Sequence, residues 1–376
     1  MEPKLTFDVV ILGGGPAGAA TALSLRKHAP SLSIAILESS AYDSLRIGET
    51  LSPITQPLLQ QLEVWDSFLK EEHLAAYGTC STWGSDALVG NEFIFQTHNR
   101  GWHLDRRRFD AMLAREAAGR GVALHINSTL EDSGKLGSDG WLLTVCSEGK
   151  SVLIETAFVV DATGRRAVFA SQRGVGKVLT DRLLGVFMFF SAQASELMTN
   201  RNTLIEAWEE GWWYSALLPS AGIVAACMTD ADIVKKHVLK SAAGWFECLS
   251  RTRHTRARLK DAEALDEPTV HTASSQRLER VTGERWIAVG DAATTYDPLS
   301  SQGIFKALQS GILASYAICD FFKGTPGGLE KYEALIKQEF DDYLATRADY
   351  YGQERRWQAS PFWQRRHEPQ LAQSRF

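Results

Sequence analysis

The chain is short of three things: cysteine, an excess of charge of either sign, and long apolar runs. Its five cysteines among 376 residues (80, 146, 227, 248 and 319) are scattered, odd in number and nowhere spaced as CxxC. That pattern supports neither a disulfide framework nor a zinc site, so no metal is expected. Lysine and arginine number 40 against 45 acidic residues, a formal net charge of −5, which offers no basic field to nucleic acid. No stretch reaches the roughly 18 apolar residues a membrane helix needs, so no membrane partner is expected. Met1-Glu2-Pro3-Lys4 leads straight into an apolar strand without the features of a secretory leader, and a cytoplasmic location is the expectation. Repeats and low-complexity tracts are absent as well. With 44% hydrophobic residues, the length allows a large core and two domains.

What is present is organised around Phe7–Glu38. The apolar run Phe7–Leu12 meets GGGPAG at Gly13–Gly18, then the alanine-rich Ala19–His28, then a second apolar run ending on Glu38. Apolar residues closed by glycines suit a strand buried on both faces, and the segment between the runs reads as a helix. An acid 20 residues past the last glycine completes a dinucleotide fingerprint. Gly13 makes the tight turn, Gly15 lets backbone amides approach a pyrophosphate, and Gly18 lets the helix pack on the strand. The pyrophosphate would sit at the N-terminus of the following helix, whose free N–H groups favour negative charge, and Pro16 and Ala17 count among the residues expected to bind it. Glu38, followed by Ser39, can accept a hydrogen bond from a ribose hydroxyl.

Further on, Ser52-Pro53 reads as the cap and first position of a helix running to about Leu62. Thr79–Ser85 and Glu92–Gln96 read as strands, Leu104–Arg120 as an amphipathic helix, and Val122–Asn127 as a strand. Trp141–Cys146 and Ser151–Glu155 flank a polar turn as a hairpin, and Phe158–Gly164 is a buried strand ending in a glycine loop. From Leu183 to Asp230 the texture turns to short aromatic and β-branched runs, expected to form a mostly antiparallel sheet. Arg285–Ala293 returns to the first domain, followed by an apolar helix at Ile304–Phe322 and a terminal helix from about Leu329 to Asp349.

GGGPAG with Glu38, the VVDATG ending at Gly164, and GDAATTYDPLSSQGI at Gly290–Ile304 together resemble the FAD-dependent monooxygenase superfamily, which also contains halogenases and isoprenoid reductases. The resemblance implies an α/β fold: a Rossmann-type FAD-binding domain with an inserted, mostly antiparallel substrate domain and C-terminal helices. The expected division is 1–78, 101–180 and 275–325 for FAD, 79–100 and 181–274 for substrate, and 326–376 for the helical segment. It further implies that Asp291 bonds the ribityl or ribose part of FAD. Pro298 and the loop through Ser301, Gln302, Gly303 and Ile304 would lie along the isoalloxazine. Arg46, Gly48, Arg106, Asp161 and Gly290 complete the implied FAD contacts.

Within the superfamily, IGETLSP, GTCSTWGSD, GWWYSALLP and RRWQASPFWQRR are similar to the flavoprotein maturases that hydroxylate tryptophan in tryptophylquinone precursors. Halogenation is disfavoured, because halogenases need a lysine about 30 residues past the GE stretch, and none occurs between Lys70 and Lys135. The implied reaction is hydroxylation of an electron-rich ring through a flavin C4a-hydroperoxide, with O2 as co-substrate and a tryptophan of a protein or peptide as target. A small aromatic metabolite is the alternative, and a non-catalytic FAD-binding assembly factor is the alternative of another class. Only one dinucleotide fingerprint is present, so NAD(P)H docks transiently or a partner flavin reductase supplies electrons. Trp83, Trp212, Trp213 and Tyr214 are expected to wall the substrate pocket, with Glu49, Trp83 and Trp213 nearest the chemistry. His103 is a weaker choice for a base. Trp357, Phe362 and Trp363, with Arg355, Arg356, Arg365 and Arg366, either pack against the FAD domain as a closing element or form a docking surface for a partner chain.

Overall fold

The structure, a computed structural model, describes residues 4–44, 46–95, 97–98, 100–191, 201–219 and 222–367. The expectations for Gln96, for parts of the substrate domain and for the final nine residues lie outside these.

Two eight-stranded sheets carry the molecule. The first is centred on Lys4–Leu12, which pairs in parallel with Ile34–Leu37 on one side and Lys150–Asp161 on the other. Ala123–His125 extends it in parallel on one flank and Trp286–Ala288 on the other. The inner half of this strand has no solvent face, and Val9–Leu12 are buried to 2% exposure or less. The hairpin strand Gly140–Ser147 runs antiparallel to the outer half of Lys150–Asp161. Helix Pro16–His28 packs against helix Gly303–Lys323, and Ser24 Oγ lies 2.6 Å from Ser315 Oγ between them.

The second sheet is mostly antiparallel. Leu183–Ser191, Gly222–Asp230, Gly211–Leu218 and Thr203–Trp208 lie side by side, followed by Gly78–Thr82 and the edge strand Val89–Glu92. Only the junction of Thr203–Trp208 with Gly78–Thr82 is parallel. Side chains alternate across a strand, so adjacent aromatics enter different cores. Trp212 and Tyr214 join Phe187, Tyr351, Phe362 and Trp363 on one face. Trp213 joins Trp245, Cys227 and Cys248 on the other, its ring centroid 4.9 Å from that of Trp245. At roughly 25 cal/mol per Å2, each buried indole contributes at most about 4–6 kcal/mol.

Several local expectations shift. Ser52 stands at the N-cap position with Pro53 after it, but its side chain makes no cap bond, and the segment is a 3-10 turn at Pro53–Thr55 followed by the short helix Gln56–Gln61. The chain from Phe93 to Phe95 is a 3-10 turn rather than a strand. Helix Arg106–Gly119 starts after Asp105, whose Oδ1 accepts from Arg107 N at 3.0 Å. The terminal helix runs Gly328–Gln353, and Pro361–His367 follows as a short helix. Phe362 and Trp363 are fully buried, and Trp363 Nε1 donates to Trp208 O at 3.0 Å. Arg366 pairs with Asp230 at 2.7 Å. This tail therefore closes the second sheet and not the FAD domain, as its aromatics pack with Phe187, Trp212 and Tyr214, and the docking-surface reading fails for its buried aromatics. Among the described residues no helix is long and apolar enough to cross a membrane.

Candidate functional site

A cavity of about 820 Å3 runs between the sheets from the glycine turn to the N-terminus of helix Gly303–Lys323. At the turn, a Cβ on Gly13 (φ +106°) would sit 2.3 Å from Ala162 O, so only glycine fits. A Cβ on Gly15 would meet nothing within 4 Å, because Gly15 opens into the cavity over the start of helix Pro16–His28. That is an open cradle of N–H groups at a helix N-terminus. Gly18 lies behind it, where a Cβ would approach Gly13 O to 2.0 Å.

Glu38 lines the cavity with its carboxylate already engaged. Oε2 accepts from Gly14 N at 2.8 Å, and Oε1 accepts from Ser40 Oγ at 2.6 Å and Arg46 Nη2 at 2.9 Å. Burial would raise its pKa, but the bonds from Ser40 and Gly14 and the Arg46 charge outweigh this and hold it below the ordinary range. Arg46 also reaches Asp110 Oδ2 at 3.0 Å. Arg106 grips both Asp110 oxygens at 3.0 Å and donates to Ile47 O at 2.9 Å. Both arginines line the cavity, fixed by an aspartate with no exposure. Asp110 was not foreseen, although an acid beside Phe109 on an apolar helix face was the available sign.

At the other end stand Asp291, Pro298, Ser301, Gln302, Gly303 and Ile304. Asp291 Oδ1 accepts from Lys306 Nζ at 2.8 Å, and Arg165 Nε lies 4.0 Å from Oδ2. Lys306, buried to 3% exposure, also donates to Thr294 O. Burial holds its pKa below the ordinary value, although Asp291 pulls the other way. A lysine within the apolar run IFKALQSGIL was its sign in the sequence. Ser39 and Gly48 line the same cavity. Asp161 and Gly290 do not. The Asp161 carboxylate accepts from Thr163 Oγ1 at 2.6 Å and Ala170 N at 2.9 Å, shaping the loop whose Ala162–Arg166 face the cavity.

Glu49, Thr50 and Tyr214 meet on the wall formed with the second sheet. Tyr214 OH lies 2.9 Å from Thr50 Oγ1, and Glu49 Oε2 accepts from Gly48 N at 2.9 Å. Burial pushes the Glu49 carboxyl up, opposed by Tyr214, Gly48 and Arg106. Burial and the neighbouring Glu49 raise Tyr214 well above its ordinary value. His271 also lines this wall.

A second cavity of about 790 Å3 shares Thr50, Tyr296, Asp297, Ser301 and Gln302 with the first. Trp83 lines this one, with Nε1 donating to Tyr350 O at 2.8 Å. The expectation fails for Trp213, which faces the opposite core, and for Trp212, whose Nε1 bonds Tyr351 OH at 3.0 Å and which lines neither cavity. His103 lines neither cavity, and burial pushes its pKa down to about 4.

The open cradle at Gly15, the two anchored arginines, the polar groups at Asp291 and the helix N-terminus at Gly303 suit the pyrophosphate, ribityl and isoalloxazine parts of FAD in turn. The family described as FAD binding domain matches residues 6–338. LodB of Marinomonas mediterranea, named as a FAD-dependent oxidoreductase, is 32% identical over 364 residues, covering 96% of this chain and 97% of LodB. The crystal structure of the flavin-dependent halogenase CmlS superposes with a TM-score of 0.85 at 26% identity, covering 97% of this chain and 68% of CmlS. The peptidyl tryptophan dihydroxylase QhpG gives 0.72 at 23%, covering 97% and 80%, a likeness of fold. The chain belongs to the FAD-binding-domain family, within the superfamily of flavin-dependent monooxygenases and halogenases.

Proposed function

We propose that this protein is a FAD-dependent monooxygenase that hydroxylates the indole of a tryptophan in a protein or peptide. The observation that carries the reading is the junction of two cavities at Thr50, Tyr296, Asp297, Ser301 and Gln302: one fits the cofactor, and the other leaves comparable room beside it for a substrate. Bound FAD would supply activation of O2 for transfer of one oxygen atom to a ring. With NAD(P)H as donor, reached directly or through a partner reductase, the balance is Ar–H + O2 + NAD(P)H + H+ giving Ar–OH + H2O + NAD(P)+. Arg46, Arg106 and the glycine turn bind the cofactor, while the buried walls around Phe187 and Tyr214 keep water from the reacting atoms. Glu49 takes the ring proton, its raised pKa suiting a carboxylate that must exchange protons. The activity in QhpG's name, dihydroxylation of a peptidyl tryptophan, concerns the same class of substrate and would take two such transfers.

Halogenation is the reading that CmlS suggests. The segment 71–134 holds no lysine, and Lys306, which lines the second cavity, is held by Asp291 and Thr294. The test is to incubate FAD-loaded protein with NADH, a flavin reductase, O2, chloride and tryptophan-containing peptides, and to weigh the products. Gain of one or two oxygen atoms is expected. Gain of chlorine, or hydrogen peroxide with unchanged peptide, would overturn the proposal.

Glu49→Gln is expected to lower kcat for that oxygenation on the order of a hundredfold and to remove its rise with pH. The same variant should affect stability. A carboxyl raised in the folded state contributes stability below its ordinary 4.5, and this is lost as pH climbs through the raised value. Urea midpoints of Glu49→Gln should therefore fall less than wild type over that climb.

A further inference from the structure

We infer that the open edge strand Val89–Glu92 docks an extended segment of the polypeptide substrate, which adds a strand to the second sheet and turns an aromatic side chain into the second cavity. This rests on the polypeptide reading above. The sheet itself forms one wall of that cavity: Ile205, then Thr79 and Ser81, then Val89 and Asn91 line it from successive strands. A further strand would continue the wall and present every second side chain to the same space.

The edge is prepared for pairing. Phe93 N donates to Tyr77 O at 2.7 Å, in register with the pairing of Gly78 to Glu92 and Thr79 to Asn91. By antiparallel alternation, the N–H and C=O of Gly90 and Glu92 then face outward. No described strand lies beyond them. Edges are commonly guarded by proline or lysine, and residues 87–95, ALVGNEFIF, contain neither. Val89 is 60% exposed, Ile94 70% and Phe95 90%, an apolar margin along the same edge.

Charge narrows the partner. Asp297, Glu339 and Asp342 line the cavity against Lys306 and Arg347, and both cations are already paired with acids. Glu339 and Asp342 have no ion pair among the described residues. The occupant is thus an extended peptide with an aromatic ring and a basic residue near it.

The probe is a fluorescein-labelled heptapeptide, Lys-Val-Thr-Trp-Thr-Val-Lys, titrated into oxidised, FAD-loaded protein and followed by anisotropy. Saturable binding is expected, weakened about tenfold or more when alternate peptide nitrogens are methylated. Gly90→Pro removes an outward N–H and is expected to weaken binding by the same factor, with flavin content and melting temperature unchanged. The nearest atom to a Cβ there is Glu92 Oε1 at 3.3 Å, the end of a flexible side chain. In the unmutated protein, a benzophenone version of the peptide should crosslink to residues 88–95. Absence of saturable binding, indifference to Gly90→Pro and to methylation, or crosslinks elsewhere would each overturn the inference. So would a concentration-dependent dimer abolished by Gly90→Pro, which would give the edge to a second copy. Oxidised protein transfers no oxygen, so docking is read apart from reaction. Edge binding without oxygen gain would leave docking standing and remove the oxygenation, while oxygen gain with crosslinks elsewhere would do the reverse.

Discussion

Gly15→Val is expected to give a folded protein that has lost FAD, with affinity down a hundredfold or more. Gly15 sits at φ −70° and ψ −175°, extended backbone that valine adopts without strain. Its Cβ would meet no protein atom within 4 Å, so the apoprotein has no reason to melt early. The same Cβ enters the space where the pyrophosphate must approach the amides at the start of helix Pro16–His28. A hundredfold corresponds to about 2.8 kcal/mol. Gly13→Ala makes the contrast, since its Cβ collides with Ala162 O at 2.3 Å and the damage falls on folding itself. Flavin titration alongside thermal melts separates the two. A Gly15→Val protein that purifies with a full complement of FAD would refute the assignment of the cradle.

The second large effect is on stability. Arg347→Met should cost about 3–5 kcal/mol, read as a shift of the urea midpoint at unchanged slope. Arg347 Nε lies 3.2 Å from Asp297 Oδ2 and Nη2 lies 2.9 Å from Asp181 Oδ2, with the two carboxylates 1% and 5% exposed. Methionine fills much of the space but leaves both charges buried without their cation. Tyr351 OH still donates to Asp297 at 2.7 Å, which softens the loss without cancelling it. Converting both aspartates to asparagine in the same chain should recover a good part of the deficit. A cost below about 1 kcal/mol for the single change would mean that water reaches these groups. Asp297 immediately precedes Pro298, so weaker FAD binding should accompany the lost stability.

The parts of the fold legible in the sequence were those with a strict local rule. Phe7–Glu38 obeyed one, since a doubly covered strand, a turn only glycine can make and a helix start leave little choice of structure. The motif residues that line the first cavity at the glycine turn followed from it, and GDAATTYDPLSSQGI marked the far end. Trp212 and Trp213 mark where such reading ends. Their neighbourhood in sequence suggests a joint role, yet in a strand they point opposite ways, and which face meets the cavity depends on how the sheet docks. Asp297 and Lys306 stayed hidden for a related reason: each is a buried charge whose partner lies on another element, and Asp110, though paired with Arg106 one turn away, takes its second arginine, Arg46, from a distant loop. The two cavities could not be read at all, because they are spaces between elements whose separation no local pattern encodes.

Ser24 and Ser315, in contact between two helices, stand 291 positions apart. At about 5–20 residues per second, roughly 15–60 seconds of synthesis separate their appearance. Until the second helix arrives, the alanine face of Pro16–His28 is uncovered and the far half of the flavin site does not exist. Cofactor capture therefore waits on the second helix. A chain released before about residue 300 carries the whole glycine fingerprint and yet only half a site for the flavin that the fingerprint announces.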